Sequence, residues 1–262
     1  MNLIHALLIS TLLALFALWR RALTPIGSLL AWALCLLITF AGGWTAFFVL
    51  AATFLCTVAA DKIAGSRVDP HGLRRKSGRR DAVRVLCNVG VGALAMALYL
   101  VSYQSVFAIA FAGVMAESLA DSLASKLGPL SKRQPRDLCT GKPVPTGLSG
   151  GVTLPGTLAE ALGAAVIAAI WGVGTKSPSA ALIVFAAGFL GATFDSVLGS
   201  RLQAKFRCPV CGSVTERETH CGEAGVLVSG FRSITNDAVN LLSNATALAL
   251  VLAIRALGAF AF

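Results

Sequence analysis

The chain has 262 residues, of which 56% are hydrophobic and only 13% are charged, and its mean hydropathy is +0.78. This balance excludes an ordinary soluble domain and predicts a multi-pass membrane protein. The net charge of +10 is therefore not interpreted as a nucleic-acid-binding surface, and no nucleic-acid partner is expected. What matters is where the basic residues lie along the chain.

Eight apolar segments are long enough, or nearly long enough, to cross a bilayer. We predict an all-α, multi-pass integral membrane helix bundle of about eight transmembrane helices, forming one domain over residues 1–262. The second and third segments are joined only by Gly42-Gly43, so residues 25–60 form either two spans or a re-entrant pair. The first three segments carry no acidic or amide side chain, and we expect them to be scaffold helices that at most shape a lipid-sized groove. The eight segments are residues 3–19, 25–41, 44–60, 83–101, 105–126, 152–173, 179–200 and 237–257.

The basic residues concentrate after the odd-numbered segments. Of the 22 lysines and arginines, 19 lie in residues 20–21, 61–82, 126–150 and 201–235. The positive-inside rule predicts that these connections face the cytoplasm and that both termini lie outside. Basic residues follow the first apolar run and do not precede it, which is the reverse of a signal peptide, so this run is kept as a helix. We expect a bacterial inner (cytoplasmic) membrane.

Carboxylates stand inside two of the apolar segments. Glu117 and Asp121 are four residues apart and share one helical face. Asp121 lies five residues before Lys126, and Asp195 lies six residues before Arg201, so the two aspartates have matching depth. Acids at membrane depth usually face a cavity, a cation or a polar partner. We predict a shared Mg²⁺ site, and a structural polar pair is the alternative for the fifth segment.

Polar residues also open the fourth and eighth segments. Asp237 begins the eighth segment between two asparagines that share a face, and its alternative role is a helix cap. Before the fourth segment stand Arg79 and Arg80, which either contact phosphate or only set the topology. The further residues predicted to support phosphate or nucleotide binding at these two helix starts are Asn88, Asn236 and Asn240.

A glycine-rich loop with one lysine follows the fifth segment. Backbone N–H groups of such loops approach phosphate oxygens closely. The loop lacks the spacing of a Walker A motif and the Ser or Thr after its lysine, so a plain turn between two helices is the alternative. Phosphate or nucleotide contacts are predicted from Ser125, Thr140, Gly141, Lys142, Gly147, Gly150 and Gly151.

The last basic connection, residues 201–235, contains a Cys-x-x-Cys pair followed by a His-Cys pair. Cys208, Cys211, His220 and Cys221 supply the four ligands of a structural zinc site, and we predict a small cytoplasmic zinc-knuckle loop. Adjacent residues seldom both bind one zinc, so the fourth ligand is left open, with His220 favoured. The alternatives are a knuckle without metal and a redox pair.

Together these motifs resemble the transmembrane protein 19 family, which includes the plant phytyl-phosphate kinase of prenol salvage. The resemblance runs from about residue 79 to residue 243, with a fainter similarity to CTP-using dolichol and phytol kinases and to CDP-lipid synthases. It implies an integral membrane enzyme that acts on a prenyl phosphate with a nucleoside triphosphate, CTP being a candidate. The residues that carry it are Arg79-Arg80-Asp81 with Asn88, Ala120-Asp121-Ser122-Leu123-Ala124-Ser125, Thr140-Gly141-Lys142-Pro143-Val144-Pro145, Gly150-Gly151-Val152-Thr153, Asp195-Ser196 with Gly199, Cys208 with His220-Cys221, and Asn236-Asp237-Ala238-Val239-Asn240.

The sequence therefore predicts a prenyl-phosphate kinase that makes an isoprenoid diphosphate from the monophosphate. Asp121 and Asp195, with Glu117 or Asp237, would hold Mg²⁺, and Lys142 would hold phosphate. The alternatives are a CDP-lipid synthase and an anionic-lipid transporter or flippase. The expected partners are the lipid bilayer, the prenyl phosphate and the nucleoside triphosphate.

Overall fold

The computed structural model describes residues 2–65 and 79–258, and within them the chain is mainly helical. The helices are α1 (Leu3–Trp19), α2 (Pro25–Ala64), α3 (Ala82–Ser102), α4 (Ser105–Leu127), α5 (Leu154–Thr175), α6 (Pro178–Arg201) and α7 (Asn236–Ala256). Short strands lie in the connections: β1 (Arg136–Asp137), β2 (Gly151–Val152), β3 (Lys205–Arg207), β4 (Val214–Thr215), β5 (Thr219–His220), β6 (Glu223–Ala224) and β7 (Val226–Ser229). The predicted all-α membrane bundle is confirmed as a fold class.

Helix α2 is a helical hairpin. A straight helix of its 40 residues would be about 60 Å long, twice the thickness of a bilayer core. Gly43, with φ of +66°, interrupts the helix, and both ends of α2 meet Arg80: the Thr24 N–H donates to the Arg80 carbonyl at 2.9 Å, and the Asp61 carboxylate lies 3.6 Å from the Arg80 guanidinium. The described residues thus contain the eight predicted helical segments. Six of their helices are long and apolar enough to cross a membrane, and the number of crossings stays a prediction.

Most helices begin at a side-chain cap, which explains why the apolar segments end close to where the sequence predicts. A short polar side chain before the first turn accepts a backbone N–H that would otherwise lack a partner. Proline in the first turn of α2, α5 and α6 favours the same boundary. The capping residues are Asn2, Thr24, Asp81, Thr153, Ser177 and Thr235.

Helix α4 lies at the centre of the bundle and packs against α2, α3, α5, α6 and α7. Its neighbours approach closely because they present glycine to it. A Cβ on Gly163 would lie 2.8 Å from the Ala120 backbone, and one on Gly188 would lie 2.5 Å from the Ala116 Cβ. Small residues at helix contacts are the usual means of close packing in membrane bundles. This packing surrounds the acidic part of α4 with protein.

The described parts of the four basic connections meet at one end of the bundle. Arg79 Nε donates to the Arg21 carbonyl at 3.3 Å, and Lys126 pairs with Asp61. The 126–150 and 201–235 connections touch through Ser149, whose N–H donates to Glu216. Which side of the membrane this end faces stays a prediction. Four of the basic residues on which the orientation prediction rests lie outside the described residues: Arg67, Arg74, Arg75 and Lys76.

The two long connections fold into small sheets above this end. β1 pairs with β2 antiparallel, which closes the 136–152 loop. β3 is the central strand of a three-stranded antiparallel sheet in the order β4-β3-β7, and β5 and β6 form a separate hairpin. The 201–235 connection is therefore a folded insertion whose base follows directly from α6.

Candidate functional site

A polar pocket opens where α4, α5 and α6 reach the basic end of the bundle. Asp121 of α4 and Asp195 of α6 both line it, so the two acids predicted at equal depth lie around one space. The second half of the glycine loop closes the pocket from above. The other predicted residues that line it are Ser125, Gly147, Gly150, Gly151 and Asn236.

Glu160 is a third carboxylate in this pocket, and the sequence-based prediction missed it. It projects from α5, is 5% exposed, and accepts a 2.7 Å hydrogen bond from the Thr193 hydroxyl. A lone acid inside an apolar segment is itself a signal of function. That signal was used for Glu117 and would have identified Glu160.

Glu117 lies one layer beneath the pocket and is not among its lining residues. Its carboxylate is buried and accepts a 2.7 Å hydrogen bond from the Ser243 hydroxyl. The same Ser243 oxygen lies 3.0 Å from the Asp195 carboxylate. Glu117 is thus placed to position Ser243 and Asp195, and its predicted role as a Mg²⁺ ligand beside Asp121 stays a prediction.

A row of asparagines connects α7 to α3. Asn236 donates to Asn240 at 3.2 Å, and Asn240 donates to the Asn88 side chain at 3.3 Å. Asn244 continues the four-residue spacing and donates to the Cys87 carbonyl at 2.8 Å. The sequence-based prediction included the first three residues of this row and missed Asn244, which the same spacing would have identified.

Asp237 lies in the first turn of α7. It is buried, does not line the polar pocket, and lies 3.8 Å from Nε of Arg84. The capping role is filled by Thr235, whose hydroxyl accepts the Ala238 N–H. Asp237 is thus paired with an arginine that the sequence-based prediction did not include, and its predicted role as a third Mg²⁺ ligand stays a prediction.

The first half of the glycine loop forms a separate turn around Asp137. One oxygen of this carboxylate accepts the N–H and the hydroxyl of Thr140, and the other accepts the Ser200 hydroxyl at 2.7 Å. Burial alone would raise the pKa of Asp137, but these hydrogen bonds hold it below its usual value. Gly141 has φ of +68°, and Lys142 is exposed beside it. The structure thus does not bring Thr140, Gly141 and Lys142 into the polar pocket.

The second half of the loop packs tightly on the end of α6. Gly150 has φ of +86°, and a Cβ there would lie 2.6 Å from the Ser200 backbone, so only glycine fits. From above, the Glu216 carboxylate accepts the Ser149 N–H at 2.8 Å. Lys205 donates to the Ser200 carbonyl at 3.3 Å. Burial lowers the pKa of Lys205, against the opposing effect of nearby carboxylates.

The two predicted arginines differ in their surroundings. Arg79 is exposed and lies outside both cavities. Burial lowers the pKa of Arg80. Arg80 and Arg84 line a second, apolar cavity on the other side of α4. The walls of this cavity come from α1, α2, α3 and α4, so helices of the first three predicted segments line a cavity.

The four predicted zinc ligands lie together. Their ligand atoms fall within 4.8 Å of one another, and the Cys211 and Cys221 sulfurs each lie 3.4 Å from His220 Nδ1. Tetrahedral ligands at zinc distances are separated by about 3.3–3.8 Å, so the set fits zinc. The N–H groups of Cys211 and Val210 bond to the Cys208 sulfur and lower the pKa of that thiol. Zinc itself stays a prediction.

Adjacent His220 and Cys221 reach one point because they belong to a tight hairpin. Cys221 and Gly222 form the turn between β5 and β6, with φ of +54° and +84°. Two positive φ values are typical of a type I′ turn, which reverses the chain within two residues. The expectation that adjacent residues rarely share a metal therefore does not exclude either ligand here.

Comparison with known proteins agrees with the membrane fold. Residues 8–248 match the family described as Integral membrane protein DUF92. The Arabidopsis thaliana protein named Protein PGR is 30% identical over 92% of this chain and 92% of its own length. Uncharacterized membrane protein sll0875 of Synechocystis sp. is 32% identical over 75% of this chain and 79% of its own length. No solved structure matches the chain significantly. The chain belongs to the DUF92 family of integral membrane proteins.

Proposed function

We propose that this protein is a Mg²⁺-dependent prenyl-phosphate kinase. It transfers the γ-phosphoryl group of a nucleoside triphosphate, with CTP a candidate, to an isoprenoid monophosphate. The observation that supports this most strongly is that Asp121 and Asp195 line one pocket together with the glycine loop. The resemblance of the same motifs to the transmembrane protein 19 family, with its phytyl-phosphate kinase, favours the same reaction.

The donor set of the pocket suits a hard cation. Asp121, Asp195 and Glu160 offer only carboxylate oxygens, which Mg²⁺ prefers, and neither Cys nor His lines the pocket in the described residues. Three acids around one space repel one another unless a cation balances them. When bound, Mg²⁺ would neutralise charge on the phosphate oxygens. Asp121 and Asp195 would hold it, with Glu160 in reach of the same space.

The chain itself supplies positioning more than covalent chemistry. An oxygen of the acceptor phosphate attacks the γ-phosphorus, the bond to the leaving nucleoside diphosphate breaks, and a prenyl diphosphate results. The acceptor is already an anion, so no strong general base is required. The N–H groups of Leu148, Ser149 and Gly151 already donate within the protein, so those of Gly147 and Gly150 would orient phosphate oxygens. The buried walls of α4 to α6 limit access of water.

Product analysis tests the proposed reaction. Purified protein in nanodiscs is mixed with Mg²⁺, farnesyl monophosphate and each of CTP, ATP, GTP and UTP, and ³¹P NMR follows the products. Nucleoside diphosphate and prenyl diphosphate support the kinase. Pyrophosphate would indicate a CDP-lipid synthase. Folded protein that turns over no nucleotide with farnesyl, geranylgeranyl or longer polyprenyl monophosphates would contradict the proposal and favour an anionic-lipid transporter.

We also propose that the active site faces the cytoplasm of a bacterial inner membrane, with the termini outside. The clustering of basic connections at one end of the bundle supports this orientation. Single cysteines at Lys132 and Thr175, in a background lacking the native cysteines, test it with a membrane-impermeant thiol reagent. Labelling of Thr175→Cys alone in intact cells is expected. Labelling of both, or of Lys132→Cys alone, would contradict the orientation.

A further inference from the structure

The apolar cavity on the α1–α3 side of α4 has its charged residues at one end, and the hydroxyl residues Ser10, Thr53 and Thr57 also line it. Most of its walls are apolar side chains from four helices. Two arginines, Arg80 and Arg84, and the small polar residues Asn88, Ser118 and Ser122 stand at the polar end. Leu13, Ala31, Leu50, Phe54, Val89 and Met115 are among the apolar residues that line the remainder.

Both arginines keep donors for a ligand. Arg80 lies 3.6 Å from Asp61 and Arg84 lies 3.8 Å from Asp237, which is longer than the 2.7–2.9 Å of a charge-assisted hydrogen bond. Asp61 also pairs with Lys126, so its charge is shared. Within residues 2–65 and 79–258 each of the two guanidinium groups makes one loose carboxylate contact, and a guanidinium has five N–H donors, so several are left for an anion. The polar end of the cavity is therefore suited to an anion.

We propose that this cavity is the acceptor site, which holds the chain of a single-chain isoprenoid monophosphate along its apolar walls and the phosphate on Arg80 and Arg84. The inference rests on the proposed function and adds where the acceptor binds. An amphiphile with one apolar chain and one small anionic group matches the distribution of polarity in the cavity. The nucleotide then occupies the polar pocket on the opposite side of α4.

The two spaces adjoin at consecutive residues of α4. Ser122 lines the apolar cavity, and Asp121 lines the polar pocket. The asparagine row makes a second connection, because Asn88 lines the cavity, Asn236 lines the pocket, and Asn240 bonds to both. The polar ends of the two spaces therefore lie at the same level of α4 and are connected through Asn240.

Equilibrium binding without nucleotide tests the site independently of turnover. The probes are farnesyl monophosphate and farnesol, titrated against nanodisc-embedded protein. Arg84→Gln is expected to weaken farnesyl monophosphate binding about tenfold or more, the scale of one lost hydrogen bond to a charged group, and to leave farnesol binding unchanged. Arg80→Gln serves as the second variant should Arg84→Gln fold poorly.

Filling the cavity tests the site of the chain. Ala31→Phe is expected to weaken binding of both probes at least tenfold, because a phenyl ring would occupy the apolar wall. The matched controls are Ala165→Phe, at an exposed position of α5, and Arg133→Gln, at an exposed position of the loop, which should both bind as the unaltered protein does. Equal behaviour of Ala31→Phe and Ala165→Phe would overturn the proposal. Competition by two-chain phosphatidic acid as strong as by farnesyl monophosphate would overturn it as well.

The outcomes separate this site from the reaction itself. If the variants bind the probes as expected but the protein shows no turnover, the proposed acceptor site stands and the proposed kinase reaction is contradicted. If the protein is a kinase but neither Ala31→Phe nor the arginine variants change its KM for farnesyl monophosphate, the kinase reaction stands and the proposed acceptor site is contradicted.

Discussion

The two cavities flanking α4 differ in what builds them. The polar pocket uses acids and glycines that stand in recognisable motifs, and its loop wall is positioned by backbone contacts such as that of Gly150 with Ser200. The apolar cavity uses ordinary alanines, leucines and phenylalanines of four helices, with two arginines at one end. One helix thus separates a space suited to a cation and phosphates from a space suited to a hydrocarbon chain. Each variant below is expected to change turnover or binding at one of the two cavities and to leave the other cavity unchanged.

The largest effect is expected from removing an acid of the polar pocket. Asp121→Asn and Asp195→Asn keep the side-chain shape but remove a charge and a hard ligand. Each should lower turnover at least about 100-fold, the scale of losing one preorganised electrostatic group. Farnesyl monophosphate binding should not change. A near-normal kinase rate in either variant would show that the substituted residue is not part of the site. The control is Glu218→Gln, which changes an exposed acid of the insertion.

The zinc prediction concerns the insertion that supports the polar pocket. Elemental analysis should find one zinc per chain, and Cys208→Ser should lose it, whereas Cys139→Ser, outside the cluster, should retain it. Because Glu216 connects the insertion to the glycine loop, zinc loss is expected to weaken nucleotide binding about tenfold, the effect of losing more than one positioning hydrogen bond. Zinc-free protein, or zinc unaffected by Cys208→Ser, would refute the site.

A pair of glycine variants isolates the packing of the loop on α6. Gly150→Ala and Gly141→Ala both place a side chain at positive φ, which costs about 1–2 kcal/mol. Only at position 150 does the added Cβ also meet backbone, 2.6 Å from Ser200, whereas no atom lies within 4 Å at position 141. Thermal unfolding should show a larger loss for Gly150→Ala, accompanied by weaker nucleotide binding. Equal melting temperatures would mean that the loop does not pack on α6 in this way.

The smallest effect is expected from Glu216→Ala. This change removes the acceptor of the Ser149 N–H, a net loss of about 1 kcal/mol, so nucleotide affinity should fall about fivefold. Isothermal titration with a nonhydrolysable triphosphate measures this effect. An unchanged affinity would show that the hydrogen bond does not position the loop, and farnesyl monophosphate binding provides the internal reference.

The helices could be predicted from the sequence, and so could the placement of Asp121 and Asp195 around one pocket. Apolar length and capping residues define the helices, and distance from the basic end sets the depth of an acid, so both are local properties. The sequence did not show that Lys142 lies outside the polar pocket, because Asp137, which organises its turn, carries no recognisable motif. Arg84 pairs with Asp237 across more than 150 positions of sequence, and such a contact cannot be inferred from spacing. The apolar cavity was not localised because small apolar residues such as Ala31 look alike wherever they lie.

A structure with both ligands tests the division between the two sides of α4 most directly. The protein would be imaged with Mg²⁺, a nonhydrolysable nucleoside triphosphate and farnesyl monophosphate. The triphosphate is expected between Asp121, Asp195 and the glycine loop, with the farnesyl chain in the apolar cavity and its phosphate on Arg80 and Arg84. Nucleotide in the apolar cavity, or both ligands on one side of α4, would contradict the account.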